Sequence, residues 1–245
     1  MSDPGGDAVP HPMTVDHPWF SRWYVRTEHA VERAVGEARR AQNAQALGRT
    51  LIIGAGSGLD VPALGPGTTN VVLLEPDATM RRILGQRYPS LPVVGEPAEA
   101  MRLDSGSMDT VISSLVLCSV ADLRHVFDEI ARVLRPGGQY LFLEHVANPR
   151  WLAGSVQRAV DQLWRRMGGG CHLTRDVVLA LAESPLQPDG VEPVHQGGLL
   201  PVIRGQATAP GIDTGRALVG TSDVRNQEEG SHPLRWTRLS RPPIA

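Results

Sequence analysis

Apolar and polar positions along the chain alternate between two rhythms. Short, nearly unbroken apolar runs stand at 50–53 (TLII), 71–74 (VVLL), 92–94 (PVV), 110–117 (TVISSLVL) and 140–143 (YLFL). Between them lie helix-like segments at about 58–64, 77–88, 97–101 and 121–134, the last stopped by the Pro and Gly of "RPGGQY". Continuous apolar strands separated by helices predict a parallel sheet covered on both faces. Ahead of the first run, 17–47 has helical spacing, with clustered aromatics in "HPWFSRWY". After the fifth, Leu152, Val156, Val160, Leu163 and Met167 recur at helical spacing, and "GGG" ends that segment. A helix at 174–183, with Thr174 as N-cap, and two strands in "VEPVHQ" and "PVIRGQATA" complete the pattern. Residues 1–16 read as a loose arm and 209–245 as a disordered tail, which leaves a single domain over 17–208.

The bend after the first strand, "IIGAGSGLD", places Gly54, Gly56 and Gly58 at every second position. A chain turning sharply from strand to helix needs positive φ there, and bare backbone lets a ligand lie against it. The spacing is G-x-G-x-G. The third glycine of a dinucleotide fingerprint is replaced by Leu59. Glu75 ends the second strand, where a carboxylate can accept both hydroxyls of a ribose; a helix cap is the plainer alternative. Asp109 opens the fourth strand, as a turn carboxylate or as a functional acid. "LRPGG" before the fifth strand reads as turn-shaping.

Composition narrows the chemistry. Net charge is −2, so no global field attracts nucleic acid or an anionic membrane. All 24 basic residues are Arg. A chain without Lys has no amine for a cofactor Schiff base, a Tyr-x-x-x-Lys reductase pair or a phosphate loop ending in Lys. The two cysteines, Cys118 and Cys171, lie far apart, and the N-terminus lacks a signal-peptide pattern. No apolar run approaches the roughly 20 residues that span a bilayer. A reduced, soluble, cytoplasmic protein is expected. The Cys171–His172 pair has no further ligands at workable spacing along the chain, so no metal site is expected.

Read in order, "LIIGAGSG", "LLEPD", "GEPAEAM", "SMDTVISSLVLCSV" and "VLRPGGQYLFLEHV" resemble the class I S-adenosylmethionine-dependent methyltransferases of the small-molecule branch. "LVLCSV", "LEHV" and "CHLTRD" look closer to thiol-methyltransferase-like and ubiquinone-methyltransferase-like members, and "HPWFSRWY" is similar to an N-terminal lid segment of bacterial relatives. The resemblance implies a Rossmann-like doubly wound α/β sheet, mostly parallel with an antiparallel last strand. It also implies methyl transfer to a thiol, phenol or quinone-type acceptor. On this reading Gly54, Gly56 and Gly58 face the methionine end of the cofactor, Glu75 its ribose, and Ala98 and Glu99 its adenine, with Ala55 and Pro76 also in the cofactor site. Ser114, Leu115, Val116 and Leu117 floor the pocket near the methyl.

One departure stands out: Ile52 occupies the position two before the first glycine, where the family usually carries an acid, which implies weaker cofactor affinity, an offset by another carboxylate such as Asp60, or altered binding. His145, at the end of strand five, is the candidate base, with a strand-end cap as the alternative. Tyr24, Leu117, Cys118, Trp164 and His172 are candidate substrate contacts. Arg175 borders the pocket or is a surface charge, and Leu163 and Met167 line it or pack a core. Trp19, Phe20 and Trp23 join Tyr24 in a lid or pack a helix. Two other readings remain open: a non-catalytic relative kept as a binding module, and a nicotinamide-dependent reductase. No "NPPY"-like motif follows strand four, where the chain has "SSLV", which argues against nucleic-acid methylation.

Overall fold

The computed structural model describes residues 16–167, 170–195 and 200–211. Residues 1–15 and 212–245, most of the expected arm and tail, lie outside it.

Seven strands form one sheet: β1 (Gly48–Ile53), β2 (Thr68–Leu74), β3 (Val93–Val94), β4 (Met108–Ser114), β5 (Leu134–His145), β6 (Gln187–His195) and β7 (Val202–Thr208). Their order is β3-β2-β1-β4-β5-β7-β6. β1 to β5 pair in parallel, and β7, last in the chain, runs antiparallel between β5 and β6. The Rossmann-like doubly wound arrangement is therefore as expected. Five helices surround the sheet: α1 (Pro18–Asn43), α2 (Ala78–Arg87), α3 (Leu123–Val133), α4 (Trp151–Met167) and α5 (Val177–Ala182).

The strands read as unbroken apolar runs because both faces are covered. Leu51 and Ile53 join Val72, Leu74 and Phe142 in a core with Val126, Phe127, Ile130 and Val133 of α3. Ile52, between them, points the other way and packs with Leu73, Ile112, Leu141 and Leu84 of α2. Phe127 meets Tyr140 edge-on at 6.1 Å; truncating it to Ala would cost about 3–5 kcal/mol. α2 starts where Asp77 accepts the Met80 N–H at 2.8 Å, and α3 where Asp122 accepts that of Arg124 at 2.8 Å.

Several local expectations are corrected. Residues 97–101 form a turn, because Glu99 is drawn to the N–H of Ala121 at 2.6 Å instead of continuing a helix. Only Val61–Ala63 is helical within 58–64, as a single 3-10 turn. "RPGG" loops out within β5: Leu134 pairs with Met108, and the next pair is Gln139 with Thr110. The N-cap of α5 is Asp176 rather than Thr174, accepting the Leu179 N–H at 3.0 Å. Asp109 is structural, holding the Arg49 N–H at 2.7 Å and the Arg135 guanidinium at 2.8 Å. α4 has the predicted spacing, but Leu152, Val156 and Leu163 on it are exposed.

Among the described residues no helix is long and apolar enough to cross a membrane. The sheet order reverses between β1 and β4, and a crevice opens there at the carboxyl ends of the strands.

Candidate active site

A cleft of about 820 Å³ fills that crevice. At one end is the bend after β1. Gly54 and Gly56 both have left-handed backbone, at φ 57° and 54°. A Cβ on Gly54 would stand 2.5 Å from Val116, so only glycine fits. A Cβ on Gly56 would meet nothing nearer than the Gly54 carbonyl at 3.9 Å, which leaves its bare backbone facing open cleft. Glu75 braces this bend from the end of β2. Its carboxylate accepts the Gly56 N–H and the Asp77 N–H, each at 2.8 Å. Burial pushes the Glu75 carboxyl above its ordinary range, against the lowering effect of those two bonds.

Asp60 lies beneath the bend, buried, with Oδ1 accepting from Arg39 at 2.9 Å, Asn43 at 2.7 Å and Ser114 Oγ at 2.7 Å. The apolar place of Ile52 in the core is thus matched by a carboxylate eight positions on that does face the cleft. Arg39 and Asn43, polar positions on α1, are buried to hold it.

The cleft is also lined by Cys118, His145 and Cys171. The chain after β4 turns at Leu115, whose φ of 58° is the only positive non-glycine value among the described residues. Below that turn the buried Glu144 carboxyl accepts the N–H groups of Val116 at 3.0 Å and Leu117 at 3.2 Å, and burial lifts its pKa to about 7. The loop after α4 is stitched over the turn. His172 N–H donates to the Cys118 carbonyl at 2.8 Å, Arg175 to that of Val120 at 2.5 Å, and Ala147 N–H to the Arg175 carbonyl at 3.3 Å. Cys171 is thereby seated with Sγ 3.3 Å from His145 Nε2. The Cys118 S–H first, and then His145, draw the Cys171 thiol down to about 5. Contact with Cys171 raises the pKa of His145 and, together with burial, that of Cys118. His145 Nδ1 is buried with no partner among the described residues.

Of the sequence candidates, Gly54, Ala55, Gly56, Glu75, Pro76, Ala98, Glu99, Ser114 and Leu115 line the cleft, as do Tyr24, Cys118, His145 and Trp164. Phe20 and Trp23 line it from α1, whereas Trp19 is exposed and stacks on Trp23 at 6.4 Å. Three candidates are corrected. Gly58 packs under Tyr88, whose hydroxyl donates to its carbonyl at 3.1 Å. Leu117 turns into the core below the cleft floor. His172 contributes its backbone rather than its ring. Arg175 is a backbone clamp, and Leu163 faces away from the cleft; the Met167 side chain lies outside the described residues. The sulfur–imidazole cluster was missed because its members meet only in the fold: no spacing along the chain relates residues 118, 145 and 171.

Residues 51–142 match the family model of a methyltransferase domain. The human thiol S-methyltransferase TMT1B is 39% identical over 137 residues, covering 51% of this chain and 54% of that protein. Human thiol S-methyltransferase TMT1A is 33% identical over 144 residues, covering 54% and 57%. The chain thus spans about half the length of these curated relatives. In fold it is similar to the geranyl diphosphate C-methyltransferase of Streptomyces coelicolor, solved with S-adenosyl-L-homocysteine. The TM-score is 0.59 at 16% identity, over 82% of this chain and 86% of that one. With the bare-backbone bend, the carboxylate after β2 and the cleft between β1 and β4, these matches place a methyltransferase domain within the chain.

Proposed function

We propose that this protein transfers the methyl group of S-adenosylmethionine to a small thiol. The observation that carries the reading is one cleft whose lining holds two chemically different groups: bare backbone with Glu75, and Cys118 with His145 and Cys171. The likeness to two thiol S-methyltransferases supports the choice of acceptor.

Gly54, Ala55 and Gly56 present backbone to the amino-acid end of the cofactor. Glu75 keeps lone pairs free after its two backbone bonds, enough to accept from ribose hydroxyls beside Pro76. Ala98 gives an apolar face for the adenine. Glu99 braces the adjoining loop through the N–H groups of Ala121 and Asp122. Ser114 and Leu115 form the floor under the reacting atoms. When bound, the cofactor supplies an electrophilic methyl on a sulfonium. The residues orient the acceptor in line with it and keep water out, the main demand of such a displacement.

A thiol of ordinary pKa, about 8.5, is mostly protonated at neutral pH, so the acceptor end must favour the thiolate. His145 does not stand alone as a base, since its Nε2 is already engaged with Cys171. Deprotonation of the acceptor therefore falls to the cluster as a unit.

Tritium-labelled S-adenosylmethionine, offered with alkyl thiols, phenols and hydroquinones in separate reactions, tests this reading. Label is expected in the thiols. Label in phenols or hydroquinones alone would overturn the acceptor class, and label in none would overturn methyl transfer to small molecules.

A further inference from the structure

Cys118 Sγ, Cys171 Sγ and a ring nitrogen of His145 lie within 4.8 Å of one another on the cleft wall. We propose that they form a three-ligand site for a thiophilic divalent cation of the zinc class, whose open fourth position receives the acceptor thiol. The metal site stands on the geometry of the three side chains; the role of its fourth position rests on the thiol reading above.

The ligand set is chemically apt. Two sulfurs and one imidazole suit a borderline-soft ion, and three protein ligands with one corner open is the catalytic rather than the structural pattern. Tetrahedral bonds of about 2.3 Å to sulfur and 2.0–2.1 Å to nitrogen set ligand atoms roughly 3.5–3.8 Å apart, so shifts of about an ångström would close the shell. The Nε2–Sγ pair already stands at 3.3 Å.

The scaffold is built to hold this arrangement. His145 ends a sheet strand, Cys118 sits on the turn pinned by Glu144, and Cys171 is fixed by the His172 N–H on the Cys118 carbonyl. No other His, Cys, Asp or Glu side chain among the described residues joins the three as a fourth ligand within that radius, and the three residues line the cleft.

The chemistry balances. On loading, the Cys118 S–H proton and the proton shared by Cys171 and His145 pass to solvent. Two thiolates and a neutral imidazole then surround the dication, with no net charge. An incoming thiol takes the open corner and releases its proton to solvent, since a coordinated thiol is deprotonated outright. A lone pair of its sulfur forms the new S–CH₃ bond while the sulfonium C–S bond breaks, and that electron pair stays on the departing thioether sulfur. The methylated product, now a neutral and weaker ligand, yields the corner to the next thiol.

The test uses the full chain, reduced with a non-chelating phosphine, stripped with a chelator and titrated with Co²⁺ as a coloured substitute for Zn²⁺. A thiolate-to-cobalt charge-transfer band is expected, saturating at one equivalent and displaced by Zn²⁺. In Cys118→Ser and Cys171→Ser it should weaken, with affinity lower by about 10–100-fold or more. No band in the wild-type chain, or an unchanged band in both variants, overturns the site; the wild-type result does not depend on how the variants fold. Methyl transfer to a small thiol is then measured with and without Zn²⁺. Full activity in metal-free protein overturns the role of the fourth position and leaves the thiol reading intact. A saturable cobalt band with no transfer to any thiol supports the site and overturns the thiol reading.

Discussion

Glu75 Oε2 accepts the backbone N–H of Gly56 at 2.8 Å, tying the end of β2 to the bend that follows β1. With Oε1 on the Asp77 N–H at the same distance, one buried carboxylate shapes the bend that lines the cleft. Glu75→Gln keeps the shape but turns an amide NH₂ toward one of these two donors. The loss is expected to be about 1–3 kcal/mol of stability, with S-adenosylhomocysteine bound roughly ten-fold more weakly. Denaturant unfolding and calorimetry measure the two effects.

The same carboxylate gives a pH signature. Burial raises the folded pKa of Glu75 above its unfolded value, so folding favours the protonated form. Its contribution is therefore fully present below the unfolded pKa and is lost as pH rises through the folded one. The stability of wild type minus that of Glu75→Gln should fall across this acid window and level off above it. Melting curves of both proteins over a pH series check the sign; a difference that grows with pH would be wrong for this account.

Asp60 anchors the other carboxylate knot. Asp60→Ala strands the buried Arg39 guanidinium, leaving it only the Glu32 carboxylate at 3.4 Å. A cost of about 3 kcal/mol is expected in urea unfolding. Arg39→Met with Asp60→Ala should recover part of it, because the charge is then gone.

Asp77 links the start of α1 to the start of α2. It accepts from Ser21 Oγ at 3.0 Å and from the His17 N–H at 2.6 Å while capping α2. Ser21→Ala removes the link but keeps the cap. We expect about 1 kcal/mol of weaker cofactor binding, roughly five-fold in Kd, with the α2 helix unaffected by circular dichroism. Asp77→Ala should add the cap loss of about 1–2 kcal/mol in stability.

The parts of this protein legible in its sequence are those governed by local rules. Leu51, Ile52 and Ile53 read as a strand because both faces are buried, and 121–134 reads as a helix that the fold realises as Leu123–Val133. Gly54 and Gly56 signalled a bend with bare backbone, whereas the hold of Glu75 on the Gly56 N–H emerges only in the fold. What stayed hidden depends on distant pairs. Arg39 and Asn43 look like ordinary polar helix positions until Asp60 is packed against them. Leu163 has the spacing of a core residue and is exposed on α4. Cys171 acquires its neighbours through a backbone bond from His172 to Cys118, which no periodicity encodes.

The central claim, one cleft with the cofactor against Gly56 and a thiol at its other end, is tested most directly by a single-turnover reaction with trideuteromethyl-labelled S-adenosylmethionine and a small alkyl thiol, read by mass spectrometry. The account predicts labelled thioether and S-adenosylhomocysteine in equal amounts from wild type. It predicts neither from Gly56→Val, whose side chain would project into the cleft. Thioether formed at the wild-type rate by that variant, or none formed by wild type, contradicts it.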